Sequence, residues 1–218
     1  MLDLIATYSN PGLTQLARII EDFYQRRVDL HRQGASFGID EHNPHKISTD
    51  ISLVAFDDSD PESYGIAQTI LRAVGGGLGQ YLKERPLFRE VCPEQKLFIM
   101  PLFNIQHYAA GEGFKAWHCD WSTASDATEP NKRVLAWILY CNDVIDAGTE
   151  FLWQEQHIEA IRGQLAIFPA GMSHVHRGRI STTTRKTIAT GWINAGCLDS
   201  YLLRLQQPTL TRATPNDC

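Results

Sequence analysis

Two short segments carry residue types that can hold a metal ion. Trp117-His118-Cys119-Asp120 sets an imidazole and a carboxylate two positions apart, and His174-Val175-His176 repeats that spacing with two imidazoles. Side chains at i and i+2 of an extended strand leave the same face. Neighbouring strands carrying these segments would therefore bring His118, Asp120 and one late histidine to a single point. Two neutral imidazoles and a carboxylate leave the remaining coordination positions of an ion open. That donor set suits ferrous iron and oxidative chemistry, although zinc accepts the same ligands. A histidine and an aspartate at this spacing occur by chance in many chains, so the weight falls on what surrounds them. The other histidines, His31, His42, His45, His107 and His157, sit in helical, loop or irregular contexts. Pro44 disfavours a helical metal-binding face at His42-Asn43-Pro44-His45.

The elements that must position these groups change character along the chain. Asn10-Pro11 opens a helix, with Leu13, Leu16, Ile19, Ile20 and Phe23 at helical spacing, running to about His31. Gly34 to Pro44 reads as loop and Lys46 to Phe56 as a strand. Asp60-Pro61 starts a second helix, which Gly75-Gly76-Gly77 should interrupt, since each glycine costs about 1 kcal/mol in a helix interior. From Leu97 short β-prone runs alternate with turn residues, among them RVLAWILYC, QLAIFP, SHVHR and KTIATGWIN. Such spacing predicts a closed or double-sheet β core. Leu198 to Leu205 forms a last short helix before a polar tail. The fold class is thus mostly β with N-terminal helices, the β core being a barrel or jelly roll. Residues 1–96 support the barrel within the same domain, 97–196 form the core, and 197–218 are helix and tail.

Composition narrows the classes of partner. The 218 residues carry 20 Lys+Arg against 25 Asp+Glu, a net charge of −5, so no excess of positive charge announces nucleic-acid binding. Five scattered cysteines form no CxxC pair, which argues against a disulfide framework or structural zinc. No basic n-region or long apolar run marks a secretory signal or membrane span. The expectation is a cytoplasmic protein without a membrane or nucleic-acid partner. Oligomeric state is not legible.

Several further motifs follow in a fixed order. Tyr108 and Gly111 precede His118. Arg133 opens a strand ending Tyr140-Cys141-Asn142, Gly148-Thr149-Glu150-Phe151 follows, then Gly163 to Phe168-Pro169, the late histidines, and Lys186 six residues before Trp192. From Leu97 to Asn194 this order resembles the Fe(II)- and 2-oxoglutarate-dependent dioxygenases, specifically the prolyl-4-hydroxylase-like branch. Ala147 departs from the pattern, which usually has glycine there.

The resemblance implies a double-stranded β-helix core, jelly-roll or cupin-like, buttressed by helices. It implies Fe(II) held by His118, Asp120 and His176. His176 lies ten residues before Lys186, and His174 is the alternative when counting from Phe168-Pro169. It implies 2-oxoglutarate as cosubstrate, its distal carboxylate anchored by Lys186 with Tyr140 and Tyr108 beside it, O2 as co-oxidant, and ascorbate as an accessory. The reaction implied is hydroxylation of an unactivated C–H with release of succinate and CO2, and the aspartate ligand favours hydroxylation over halogenation. The partner implied is a peptide or small molecule, with a prolyl residue as the branch's substrate and a free amino acid or metabolite as the alternative. Trp121, His174, Ser48 and Asp50 are candidate substrate contacts. A cupin-like metal barrel that is not an oxygenase would share the fold and histidines but has no use for Lys186 with Tyr140. A nucleic-acid demethylase is disfavoured by the acidic balance.

Overall fold

The computed structural model describes residues 3–34, 45–121 and 133–206. The N-terminal part contains β1 (Ala6–Tyr8), α1 (Pro11–Arg26), β2 (Arg32–Gln33), β3 (Lys46–Ile47), β4 (Thr49–Val54), α2 (Pro61–Glu84) and α3 (Pro86–Val91). Next come β5 (Leu97–Ile99), β6 (Leu102–Tyr108), β7 (Gly113–Phe114), β8 (Arg133–Tyr140), β9 (Val144–Phe151) and β10 (Gln156–Ala160). The chain continues through β11 (Leu165–Pro169), β12 (His176–Arg179), β13 (Lys186–Ala195) and α4 (Leu198–Gln206). Most of the expected loop at Gly34 to Pro44, and the polar tail beyond residue 206, lie outside the described residues.

Two antiparallel sheets face each other. The larger has the order β1-β11-β8-β13-β6-β4-β2 with β5 pairing β13, and the smaller has the order β10-β9-β12. A two-stranded ribbon joins β3 to β7. Neither main sheet closes on itself among the described residues, so of the two expected forms, a closed barrel or a double-sheet jelly roll, the arrangement is consistent with the second. One apolar cluster lies between the large sheet and α1 and α2, through residues such as Ile20, Phe23, Ile70, Trp137, Leu165 and Ile193. The other lies between the sheets, through Ile138, Tyr140, Phe151, Phe168 and Ile188. Strand β8 serves both clusters. Its last six residues are all buried, which is why RVLAWILY reads as a continuous apolar run rather than an alternating one.

The N-terminal helices form as their caps dictate. Asn10 accepts a hydrogen bond from the Leu13 amide, with Pro11 in the first turn, and Asp60 does the same for the Glu62 amide ahead of α2. Helix α1 ends at Arg26, short of His31, and a single 3-10 turn over Val28–Leu30 follows.

Two further expectations need correction. Gly75-Gly76-Gly77 does not interrupt α2, which runs unbroken to Glu84. A Cβ on Gly77 would sit 2.5 Å from Leu165 Cδ2, so the glycine lets the helix lie close on the sheet, and that packing outweighs its poor propensity. Lys46 to Phe56 is not one strand, because Lys46–Ile47 pairs with β7 while Thr49–Val54 pairs with β6 in the large sheet. The first residues also contribute an unforeseen edge strand, β1 on β11.

Candidate active site

The metal-ligand candidates are held by turns and one bridge rather than by long strands. His118 forms an isolated antiparallel bridge with His176, at the start of β12. The amide of His118 donates to the carbonyl of His176 at 3.0 Å, and that of His176 returns to His118 at 2.8 Å. Such a directly opposed pair sends both side chains to one side. Asp120 is pinned next to them by its amide, which donates to Ala170 O at 2.9 Å just past β11, and by Arg133 Nη1, which donates to its carbonyl at 2.8 Å. One ligand atom from each of His118, Asp120 and His176 lies within 4.8 Å of the others. His176 Nε2 and Asp120 Oδ2 are 3.7 Å apart.

The tautomers follow from what each ring touches. His118 Nδ1 lies 2.9 Å from Ala116 O, and His176 Nδ1 lies 2.9 Å from His174 O. A carbonyl can only accept, so each Nδ1 carries the proton and each Nε2 presents a lone pair to the cluster. Burial, with the His176 ring beside it, pushes the His118 pKa down to about 4, which keeps that imidazole neutral and able to ligate. Phe114 stacks on His118 with centroids 3.8 Å apart, and Phe168 meets His176 edge-on at 4.9 Å. These contacts fix both rings. The donor set and its closeness fit Fe(II).

His174 is not part of the cluster. It ends a 3-10 turn, its amide donating to Gly171 O, so strand alternation begins only at His176. Its ring meets Ser173 Oγ at 3.0 Å, and it serves the centre through its backbone carbonyl, which orients His176.

A second polar group lies on the same inner face. Strand β13 aligns Lys186 with Tyr108 of β6, and Ile188 with both Gln106 of β6 and Tyr140 of β8. Lys186 is buried, and its Nζ donates to Arg179 O at 2.8 Å and lies 5.3 Å from the Tyr108 ring centroid. Among the described residues no carboxylate lies within ion-pair distance of it. Burial pushes its pKa down to about 8. A buried ammonium without an acidic partner fits an incoming carboxylate. Tyr140 is fully buried and shares a 2.7 Å hydrogen bond with Thr149 Oγ1 of the small sheet, while Tyr108 Oη donates to Gln106 Oε1 at 2.6 Å.

The candidate substrate contacts scatter more widely. Trp121 is exposed, with Nε1 donating to Arg133 O at 3.1 Å and its ring lying over Gly171, where a Cβ would come within 2.7 Å. Ser48 and Asp50 are buried, and Asp50 Oδ2 pairs with Lys46 Nζ at 2.9 Å. Ser48 Oγ and Asp50 Oδ1 have no hydrogen-bond partner among the described residues. Gly34 covers them so closely that a Cβ there would collide with Ser48 Oγ. Phe114 escaped the sequence reading, and so did the ion pair of Lys46 with Asp50, although Lys46, Ser48 and Asp50 stand out in the sequence as polar residues at alternate positions that could face a substrate. Arg133 was visible as a motif residue, but its guanidinium over the Trp192 ring at 3.6 Å was not.

The family model described as the 2OG-Fe(II) oxygenase superfamily matches residues 103–194, the stretch that contains all three clustered ligands and Lys186. No curated protein matches the sequence. Among solved structures, the chain is similar to the viral collagen prolyl hydroxylase of Paramecium Bursaria Chlorella virus-1, at 14% identity and TM-score 0.61, covering 88% of this chain and 97% of that one. It is similar to a Pseudomonas putida prolyl-4-hydroxylase at 15% identity and TM-score 0.60, covering 88% and 92%. It is similar also to a Trichoplax adhaerens prolyl hydroxylase in complex with a hypoxia inducible factor oxygen degradation domain peptide fragment, at 12% identity and TM-score 0.61, covering 94% and 88%. At such identities these likenesses establish a shared fold. The family match is to residues 103–194, and the assembled two-histidine, one-carboxylate cluster lies within that stretch, as the 2OG-Fe(II) oxygenase superfamily requires.

Proposed function

We propose that this protein hydroxylates a prolyl residue in a peptide, using Fe(II), 2-oxoglutarate and O2. The observation that carries the reading is the pairing of two polar centres on one inner face: the His118, Asp120 and His176 cluster, and the buried ammonium of Lys186, which has no acidic partner among the described residues. Bound iron would activate O2, one oxygen atom going into succinate as 2-oxoglutarate loses CO2 and the other into the new hydroxyl of the substrate. The chain supplies position. His118 and His176 would hold the ion through Nε2 and Asp120 through a carboxylate oxygen. Lys186 pairs with the distal carboxylate of the cosubstrate, and the Tyr140 and Tyr108 hydroxyls lie on the same inner face. The apolar layer around Ile138, Phe151, Phe168 and Ile188 excludes bulk water, which strengthens that ion pair.

The two facing sheets support the reading of residues 97–196 as a double-stranded β-helix, with residues 1–96 buttressing it and adding strands β1, β2 and β4 to the larger layer. The prolyl peptide is favoured by the fold shared with three prolyl hydroxylases, one of them in complex with a peptide fragment. It is favoured also by the partly exposed aromatic rings of Trp117 and Trp121, which flank the ligand pair. Ser48 and Asp50 then belong to the wall next to Tyr108. No helix of the described residues is long and apolar enough to cross a membrane. Cys92, Cys119, Cys141 and Cys197 are free, which supports a reducing, cytoplasmic setting.

The test is anaerobic loading with Fe(II) and 2-oxoglutarate, then aeration with proline-containing peptides or free amino acids. Peptide-dependent succinate release, with one oxygen atom added to a prolyl residue, is expected. Turnover of free amino acids alone would move the reading to a metabolite hydroxylase. A missing charge-transfer band and no succinate would remove the oxygenase reading altogether.

A further inference from the structure

We infer that Asn142 is a positioning residue for Lys186, holding the peptide groups on both sides of it so that the ammonium reaches the cosubstrate carboxylate. The main-chain ladder between β8 and β13 reaches Tyr140 opposite Ile188, and one more bond follows from the Cys141 amide to Thr187 O at 2.9 Å. There the β8 chain turns away toward β9. The Asn142 side chain then takes over what a strand partner would do. Its Nδ2 donates to Arg185 O at 2.8 Å, and its Oδ1 accepts from the Thr187 amide at 2.8 Å. A carboxamide has the donor and acceptor of a peptide group in one plane, so it can cap both flanks of a single residue. That residue is Lys186.

The other edge of Lys186 is held by β6, where it stands opposite Tyr108. Arg185 is fixed from the outside as well, its Nη2 lying 3.1 Å from Glu21 Oε1 of α1. Asn142 is itself buried. The first residue of a strand ordinarily frays. Here it must carry a long flexible side chain through the core to a fixed point, and a loose backbone would spread the ammonium over several positions. Pinning both flanking peptide groups gives it one. Asp143 adds a further tie at the same corner, its Oδ1 accepting from the Arg162 amide at 2.8 Å.

This inference rests on reading Lys186 as the cosubstrate anchor, and the experiment separates the two. Titrating 2-oxoglutarate into the Fe(II)-loaded protein without oxygen, read by the charge-transfer band, gives its affinity apart from turnover. Lys186→Ala alone tests the anchor, and an unchanged affinity there would defeat that reading and this inference together. Provided the anchor stands, Asn142→Ala should weaken 2-oxoglutarate by about tenfold, as removal of an orienting partner does, with kcat at saturating cosubstrate within about twofold. In the Lys186→Ala background the same substitution should change affinity by less than about twofold, because its effect passes through the lysine. An equal loss in both backgrounds would mean a general structural role and overturn the inference, as would no loss in either. Amide exchange at Thr187 should rise in Asn142→Ala, since its acceptor is gone. Asn142→Asp keeps the shape and the Thr187 bond but turns an acceptor toward Arg185 O, and it should weaken the cosubstrate while the protein stays folded.

Discussion

The two ends of the inner face are built in different ways. At the iron end, the three ligands come from a bridge, a loop and the first residue of a short strand, and each is fixed by a backbone hydrogen bond close to it. At the other end, which we propose anchors the cosubstrate, Lys186, Tyr140 and Tyr108 stand on long neighbouring strands whose register sets their positions. The iron end is half-open, with only His176 of the three ligands fully buried, whereas all three anchor-end residues are buried. An open centre built on turns can admit substrate and oxygen. A closed one built on a sheet can hold a charge out of water without letting it wander.

Breaking the iron end should have the largest effect on turnover and little on the fold. Asp120→Ala is expected to reduce succinate formation by at least about a hundredfold, since partners one step removed from a metal already cost 10–100-fold. Its melting temperature should stay within a few degrees of the parent's, as the carboxylate itself supports no strand. Collapse of the fold in this variant would erase the contrast between the two ends.

Breaking the anchor end should do the reverse in part. Lys186→Met is expected to raise the KM for 2-oxoglutarate on the order of 30-fold or more, the usual result of removing one partner of a buried charge pair. It should also stabilise the ligand-free protein. A lysine pushed from 10.5 to about 8 by burial carries a folding cost of roughly 3 kcal/mol while charged, and methionine does not. Higher cosubstrate demand together with a higher melting temperature is the signature to look for by kinetics and calorimetry.

The same shift gives a pH dependence with a definite sign. Because the folded pKa is lowered, the penalty is fully present below pH 8 and is relieved as pH rises from 8 toward 10.5. Ligand-free stability should therefore gain from this group across that window. The affinity for 2-oxoglutarate should move the other way, falling by about tenfold per pH unit above 8, because the carboxylate needs the protonated amine. Titrations at several pH values would check both, and Lys186→Met should lose both trends. The smallest effect belongs to Tyr140→Phe. Losing one hydroxyl next to the anchor is worth about 1 kcal/mol, a roughly fivefold rise in KM for the cosubstrate.

Legibility differed between the two ends for the same reason their construction does. The face shared by Lys186, Ile188, Thr190 and Trp192 was readable, because period-two alternation in a regular strand needs no tertiary information. Strand alternation by itself did not choose between His174 and His176; the ten-residue spacing to Lys186 favoured His176, and it is that ring which joins the cluster. Alternation put them on one face, but the 3-10 turn over Met172–His174 breaks the period, and that turn exists because the chain must bend from β11 into the other sheet. The triple glycine in α2 misled for a related reason. Propensity is a local quantity, while the contact of Gly77 with Leu165 is made across the molecule.

The sequence by itself determined the chemistry available, namely the ligand types, a lysine at the head of the last strand and the order of elements that carry them, because residue identity and local periodicity are written along the chain. Only the tertiary structure decided that the His174 ring stays out of the cluster, that Lys186 has no acidic partner and neither main sheet closes among the described residues, and that Lys46 and Asp50 lie paired and buried near Tyr108. Each of those depends on which groups approach from distant parts of the chain, and pairing, burial and the resulting pKa are properties of that approach rather than of any residue alone.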